Sequence, residues 1–463
     1  MRLHFRLMAA AVSLSASCFT HSDTLADIYE LALKNDTTLK AAEATYNADM
    51  EVENQSFGVL LPQIEGNYSY SNTKTDSQST LFFNNTQVPS GSDSDIDREG
   101  YEVSLTQKLF DLSSWFTFKQ GKQISSAAEA QFAANQQDLI VRVATAYFNV
   151  LRALENLRAS KAEESATKRQ LEQTQQRYDV GLIAITDVHE ARAQYDSTVV
   201  QRLSDEGEVG TSYEALSVLT GQAHRNLWHL SDTFAVVDPA PSARDEWVDF
   251  ALKNNYALKA AQANAEASRL AAKSAQMGHA PTLTGSLSYS DYDSDGDNFD
   301  LPSDSTSQDQ TVAITLRVPI FSGGSVSATR RRAYDLYNAA YQQSINTQRS
   351  VIQSTRSLHL TVVTDVQRVK ARAQSIISTR SALEATQAGY EVGTRNIVDV
   401  LQARRSLYAA IRDHANSRFD YVINMLLLKQ QAGTLSPQDI YDLNRWLQEP
   451  APANASQQPA NGI

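Results

Sequence analysis

Cysteine is nearly missing from this sequence: Cys18 is the only one in 463 residues, which excludes a disulfide scaffold and thiolate metal clusters. Proline (11) and glycine (18) are scarce, and residues 113–178 hold no proline and only Gly121, so long unbroken helices are expected. Beyond the first 22 residues there is no apolar run of about 18, which excludes a transmembrane helix. Positive charge is also lacking. The net charge is −12, which argues against a nucleic-acid partner, and Arg330-Arg331-Arg332 reads as a solvated helix face. Catalytic patterns are missing as well. His189, His224, His229, His279, His359 and His414 show no metal-ligand spacing, and Gly323-Gly324 has no Lys or Ser/Thr pattern behind it to make a phosphate loop, so no enzymatic activity, cofactor or metal is expected.

Residues 1–22 carry Arg2 and Arg6, then an apolar run from Leu7 to Ala16, then small and polar residues. This is the layout of a secretory signal peptide. Cleavage near Ser22 leaves a mature chain without a thiol. A second reading makes Cys18 a lipid-anchored first residue, against which Ser15 stands where such sites carry a bulky aliphatic. An exported chain without a membrane helix is either soluble or crosses an outer membrane as strands.

The chain repeats itself. Leu33-Lys34-Asn35 and Leu39-Lys40-Ala41-Ala42 return as Leu252-Lys253-Asn254 and Leu258-Lys259-Ala260-Ala261, while Val180-Gly181 and Asp187-Val188 return as Val392-Gly393 and Asp399-Val400. Two copies of roughly two hundred residues are too long for a solenoid and indicate a duplicated unit. The boundaries read as a first repeat over 23–227, a connector over 228–244, a second repeat over 245–432, and a C-terminal segment with a disordered tail over 433–463.

Each repeat begins with one helix, over about 25–57 and 247–277, and continues with alternating runs. Ile64, Gly66, Tyr68 and Tyr70 alternate with polar residues, as do Leu283, Gly285, Leu287 and Tyr289; Tyr101-Val103-Leu105 and Val312-Ile314-Leu316 follow the same rule. Period two with one apolar face, about ten residues long and with a Tyr near an end in three of the four runs, fits membrane-spanning strands. The polar inserts at 72–100 and 291–310 read as long exposed hairpin loops. Within the second, Asp291, Asp293, Asp295 and Gly296 imitate the start of a calcium loop, but Pro302 holds the twelfth position, so an acidic surface loop is the preferred reading. Four strands cannot close a barrel, so several chains must pool theirs; a soluble sandwich stays open as an alternative.

Ile140, Val143, Tyr147, Val150, Leu154 and Leu157 step by three and four, the seam of a coiled coil. A helix of about 65 residues extends about 100 Å at 1.5 Å per residue. Gly181 and Gly393 end the two long helices, with Thr186 or Asp187 capping the next helix in the first copy.

Several segments together resemble the TolC-type outer-membrane channel-tunnel (outer membrane efflux protein) family: Leu60-Leu61-Pro62-Gln63, residues 145–151, Val180-Gly181-Leu182 with Ile185-Thr186-Asp187-Val188, Ala191 to Asp196, Pro319-Ile320-Phe321, and residues 389–401. The resemblance runs from Asp23 to about Leu447. It implies an α+β membrane protein, internally duplicated: a trimeric 12-stranded β-barrel, four strands per chain, continuous with a long α-helical coiled-coil barrel. It further implies an exit duct across the Gram-negative outer membrane and periplasm for drug efflux and/or type I protein secretion. The implied partners are two further copies, a periplasmic membrane-fusion (adaptor) protein, an inner-membrane pump or ABC transporter, and outer-membrane lipid. By position in the family, Tyr390 bonds Gln170, Arg395 bonds Thr186 and Asp187 of a neighbouring hairpin, Arg418 supports them, and Asp399 projects into the narrowest part of the lumen. Where the family type has a second acidic ring this sequence has Gln402. The competing reading is a coiled-coil envelope protein without a pore.

Overall fold

The computed structural model describes residues 23–83, 86–298, 301–302 and 304–449; the expected signal peptide, Cys18 and the tail from 450 onward lie outside them. The duplication is visible in the elements. The first copy supplies helices α1 (Leu25–Asn35) and α2 (Thr37–Gly58), strands β1 (Gln63–Phe83) and β2 (Thr86–Phe110), then helices α3 (Leu112–Asp179) and α4 (Ile185–Thr220). After strand β3 (His229–Leu230), the second copy supplies α5 (Arg244–Asn254), α6 (Tyr256–Gln276), β4 (Thr282–Asn298), the two-residue β5 (Leu301–Pro302), β6 (Ser305–Arg317), α7 (Ser325–Glu391) and α8 (Ile397–Gln431). Helix α9 (Pro437–Asn444) and β7 (Leu447–Gln448) close the described chain, with β7 pairing the connector strand β3.

The helix expected before each first strand is two helices. The chain breaks at Asp36, whose extended backbone lets Oδ1 accept from Leu39 N at 2.6 Å, and at Asn255, whose side chain accepts from Leu258 N at 2.9 Å. Asp and Asn at equivalent places outcompete the helical backbone and cap the following helix. Burial of Asp36 opposes its charge, but the Arg142 guanidinium at 2.9 Å and the Leu39 N–H hold its carboxyl below the usual range.

A second difference concerns the strands. The polar inserts are not loops: β1 and β2 are 21 and 25 residues long and pair without interruption from Gln63↔Thr106 to Phe83↔Thr86. Side chains sustain the ladder beyond the apolar band. Tyr70 Oη donates to Asp97 at 2.8 Å and Asn72 Nδ2 to Asp95 at 2.9 Å, and cross-strand pairs of this kind are each worth about 0.2–1 kcal/mol. Asp291, Asp293 and Asp295 lie in β4, paired with β2. An extended strand cannot wrap a calcium ion, and no described group of three acidic, His or Cys residues could hold a metal.

The register gives the sheet β1-β2-β4-β6 two faces. Ile64 pairs Leu105, Leu105 pairs Leu287, and Leu287 pairs Val312, so one apolar row crosses all four strands. On the other face the row Glu65, Ser104, Ser288, Thr311 is polar throughout. No described strand pairs the outer edge of β1 or of β6.

The chain divides into two compact units that cut across both repeats. One gathers residues up to 40, 136–251 and from 354 onward; the other gathers 41–135 and 252–353. The first has a core of Leu25, Ile28, Leu139, Ile140, Val143, Tyr147, Phe148, Leu216 and Leu428, each such side chain contributing about 1.5–3 kcal/mol by burial. Tyr147 satisfies its hydroxyl by donating to the Trp228 carbonyl at 2.8 Å. In the second unit the seat of Gly121 faces α2: a Cβ there would meet Ser56 Oγ at 2.2 Å and the Val52 carbonyl at 3.0 Å.

Candidate functional site

The α3–α4 and α7–α8 turns are each made by a glycine in the left-handed region. Gly181 (φ 73°) and Gly393 (φ 79°) let Leu182 N reach the Arg177 carbonyl at 2.9 Å and Thr394 N reach the Gly389 carbonyl at 2.9 Å, closing the helix ends. Gly389 also makes room. Its carbonyl accepts from Arg395 N at 3.2 Å and Thr394 Oγ1 at 3.0 Å, and a Cβ there would meet Arg395 Cγ at 2.9 Å. Apolar side chains are left in the open at both tips: Val180, Leu182 and Val392 are about seven-tenths exposed (71, 69 and 75%).

The two copies start their second helices differently. Helix α4 has Ala184 at its N-cap with no side-chain cap, so neither Thr186 nor Asp187 caps it as expected; both already lie inside the first turn. Thr186 is exposed and Asp187 half-buried. Helix α8 has a full capping box. Asn396 Oδ1 accepts from Asp399 N at 2.9 Å, and Asp399 Oδ2 accepts from Asn396 N at 3.3 Å. Asp399 also lies 3.9 Å from Arg395 Nη1.

Within one protomer the expected residues are brought together in other pairs. Tyr390 meets α3 through Arg177, whose guanidinium lies 5.1 Å from the ring centroid, while Tyr390 Oη is buried without a hydrogen-bond partner among the described residues. Gln170 accepts at Oε1 from Arg404 Nη2 at 3.3 Å. Arg418 lies far along α8, where it donates to the Ser231 carbonyl and approaches Asp232 at 3.4 Å, tying α8 to the connector. Gln402 is exposed and lines a hollow of about 240 Å³ with Glu190, Gln194, Val398 and Arg405.

The sequence reading passed over a polar stripe on α8. Arg404, Tyr408 and Arg412, four residues apart, face α3: Arg404 Nη1 donates to the Ala166 carbonyl at 2.6 Å, Tyr408 Oη to the Ala162 carbonyl at 3.2 Å, and Arg412 Nη1 to Glu163 Oε2 at 2.9 Å. Burial pushes the Arg404 guanidinium below its ordinary range and the Tyr408 hydroxyl above its own. The four-residue spacing was the available signal. On the other side of α3, Thr167 and Thr198 share a hydrogen bond at 2.9 Å, and Arg202 pairs Glu164 at 2.7 Å. Helices α3, α4 and α8 are thus cross-linked by directional polar bonds.

Comparison with known proteins follows the same lines. The outer membrane efflux protein family profile matches twice, at residues 28–222 and 247–434, once per repeat. The chain is 37% identical over 439 residues to the outer membrane protein TolC of Vibrio cholerae serotype O1, covering 95% of this chain and 97% of that one. It is 28% identical over 459 residues to the proteases secretion protein PrtF of Dickeya chrysanthemi, covering 97% and 96%. The crystal structure of the outer membrane protein VceC from Vibrio cholerae shares the fold, with a TM-score of 0.74 at 20% identity over 88% of this chain and 96% of that one.

Proposed function

The chain belongs to the outer membrane efflux protein family, and from this premise we propose that three copies close a twelve-stranded barrel and continue it as a helical duct through the periplasm. The protein is located in the outer membrane and serves as an exit duct, in efflux and in secretion of the kind named for PrtF. The observation that carries the barrel is the apolar row Ile64, Leu105, Leu287, Val312 on a sheet whose outer edges no described strand pairs. Lipid tolerates no open edge, so the strands of neighbouring copies must complete it. A coiled-coil envelope protein without a pore has no use for such a face.

In this reading the chain performs no catalytic step; energy and cargo selection come from an inner-membrane pump or ABC transporter, reached through a periplasmic adaptor. The open apolar tips at Val180, Leu182 and Val392 support an adaptor contact there. Arg395 of one copy latches to Thr186 and Asp187 of the next; neither side chain is spent on capping α4, which supports this assignment. Tyr390 carries a hydroxyl without a partner among the described residues for Gln170, Arg418 ties α8 to the connector, and three Asp399 carboxylates form the lumen ring, with Gln402 one turn on. Three converging carboxylates attract cations.

Envelope fractionation with heat-modified gel mobility tests the reading: a heat-labile oligomer in the outer membrane is expected, and a soluble monomer ends it. Deletion of the chain is expected to raise sensitivity to toxic compounds or to abolish export of secreted protein.

A further inference from the structure

By register the polar face of the sheet carries Lys108 and Arg317 at the helix-proximal ends of the strands, Lys108 lying 3.3 Å from Asp111, and Arg98 far from both along β2. Arg98 stands on the polar face of β2, and its guanidinium lies 4.3 Å from the centroid of the Tyr292 ring on β4. Gly100 makes this possible, since a Cβ there would meet Tyr292 Cδ1 at 2.4 Å and the Asp291 carbonyl at 2.3 Å. The ring therefore sits over Gly100 on the same face as Arg98. The cross-strand row through Arg98 is Ser71, Arg98, Ser294, Ser305, in which Arg98 is the only charge. At this level the acids Glu99, Asp97 and Asp293 stand on neighbouring positions of the opposite, outward face or its adjoining rows.

We propose that the three Arg98–Tyr292 pairs of a trimer form a cationic, anion-binding ring at the outer mouth of the pore. The proposal rests on the barrel reading. A twelve-stranded barrel has a backbone radius of about 12 Å, so each guanidinium lies within about one Debye length, roughly 10 Å at 0.1 M salt, of the pore axis. The nearest inward acids, Glu102 and Asp309, share a row four residues away, about 13 Å at 3.3 Å per residue and thus screened from Arg98. Stacking on Tyr292 fixes the planar fork, and a fixed fork binds phosphate oxygens in pairs. Tyr292 is a positioning residue here.

Planar-bilayer recordings of the purified trimer, with inorganic pyrophosphate added on the extracellular side, test this. Arg98→Gln is expected to weaken pyrophosphate block several-fold and to raise the cation-to-anion permeability ratio by roughly two- to fivefold, from three screened charges near the axis. Tyr292→Phe keeps the block, Tyr292→Ser loses part of it, and Glu102→Gln leaves it in place. A normal heat-labile trimer of Arg98→Gln with unchanged reversal potential and block overturns the ring while leaving the duct intact. Failure to form any channel in the unsubstituted protein overturns the duct itself.

Discussion

Arg404 Nη2 donates to Gln170 Oε1 at 3.3 Å, so the amide assigned to the Tyr390 latch is already engaged inside the protomer. The same guanidinium holds the Ala166 carbonyl at 2.6 Å, and Gln170 is 6% exposed. In the proposed gate, a Tyr390–Gln170 bond must therefore either include Arg404 or displace it from Gln170. Arg404→Ala is expected to destabilise the protein by about 2–3 kcal/mol, the usual cost of losing a buried charged donor. Arg404→Lys should recover less than half, because an ammonium cannot reach both acceptors as a planar fork does. Thermal unfolding of the purified protein measures both.

Asp399 has two separable roles, one in the capping box with Asn396 and one as a charge. Asparagine keeps an oxygen able to accept from Asn396 N, so Asp399→Asn should leave stability within about 0.5 kcal/mol and abolish most multivalent-cation block from the periplasmic side. Asp399→Ala should lose the block and also about 1 kcal/mol of stability. Unchanged block in Asp399→Asn, read by planar-bilayer conductance, removes Asp399 from the lumen ring.

What was legible in the sequence was whatever has a period. The alternation at Ile64 to Tyr70 gave the strands, and the three-four stepping at Ile140 to Leu157 gave a helix whose members Ile140, Val143, Tyr147 and Val150 are buried. The strand extensions were not legible, because Ser, Asn and Asp signal turns locally while cross-strand bonds such as Tyr70 to Asp97 form between residues 27 apart. The helix break at Asp36 was missed because neither proline nor glycine marks it. At the tips, Gly181 and Gly393 announced the turns. The partners of Arg404 and Arg412 stayed hidden because they belong to another helix, and single-chain spacing cannot name an acceptor 234 or 249 positions away.

Acid should loosen the helical region through His414. Burial, with Arg418 and Arg372 nearby and only Asp232 opposing, pushes its imidazole below the ordinary value of 6.5. The folded state thus binds the proton less readily than the unfolded one. Its contribution is fully present above about pH 6.5 and is lost as the pH falls through the window beneath that value. His414→Gln should flatten the fall in melting temperature between pH 7 and 5, by at most about 1.4 kcal/mol per unit of pH. An unaltered pH profile in that variant excludes His414 as the acid-labile group.

Gly121 is expected to be intolerant although it sits mid-helix, where alanine is normally better by about 1 kcal/mol. A Cβ there would collide with Ser56 Oγ at 2.2 Å and press on the Val52 carbonyl at 3.0 Å. Ser56 Oγ is itself held by the Val52 and Glu53 carbonyls at 2.8 and 2.9 Å, so it cannot swing aside without losing both. The backbone contact yields only if α2 moves. Overpacking of this kind costs about 1–3 kcal/mol, which outweighs the propensity gain, so Gly121→Ala should lower the melting temperature of the protein and Gly121→Val should lower it further. Combining Gly121→Ala with Ser56→Gly removes the harder of the two collisions. That pair is expected to regain most of the loss, and a double variant no better than Gly121→Ala alone would place the constraint on the Val52 backbone.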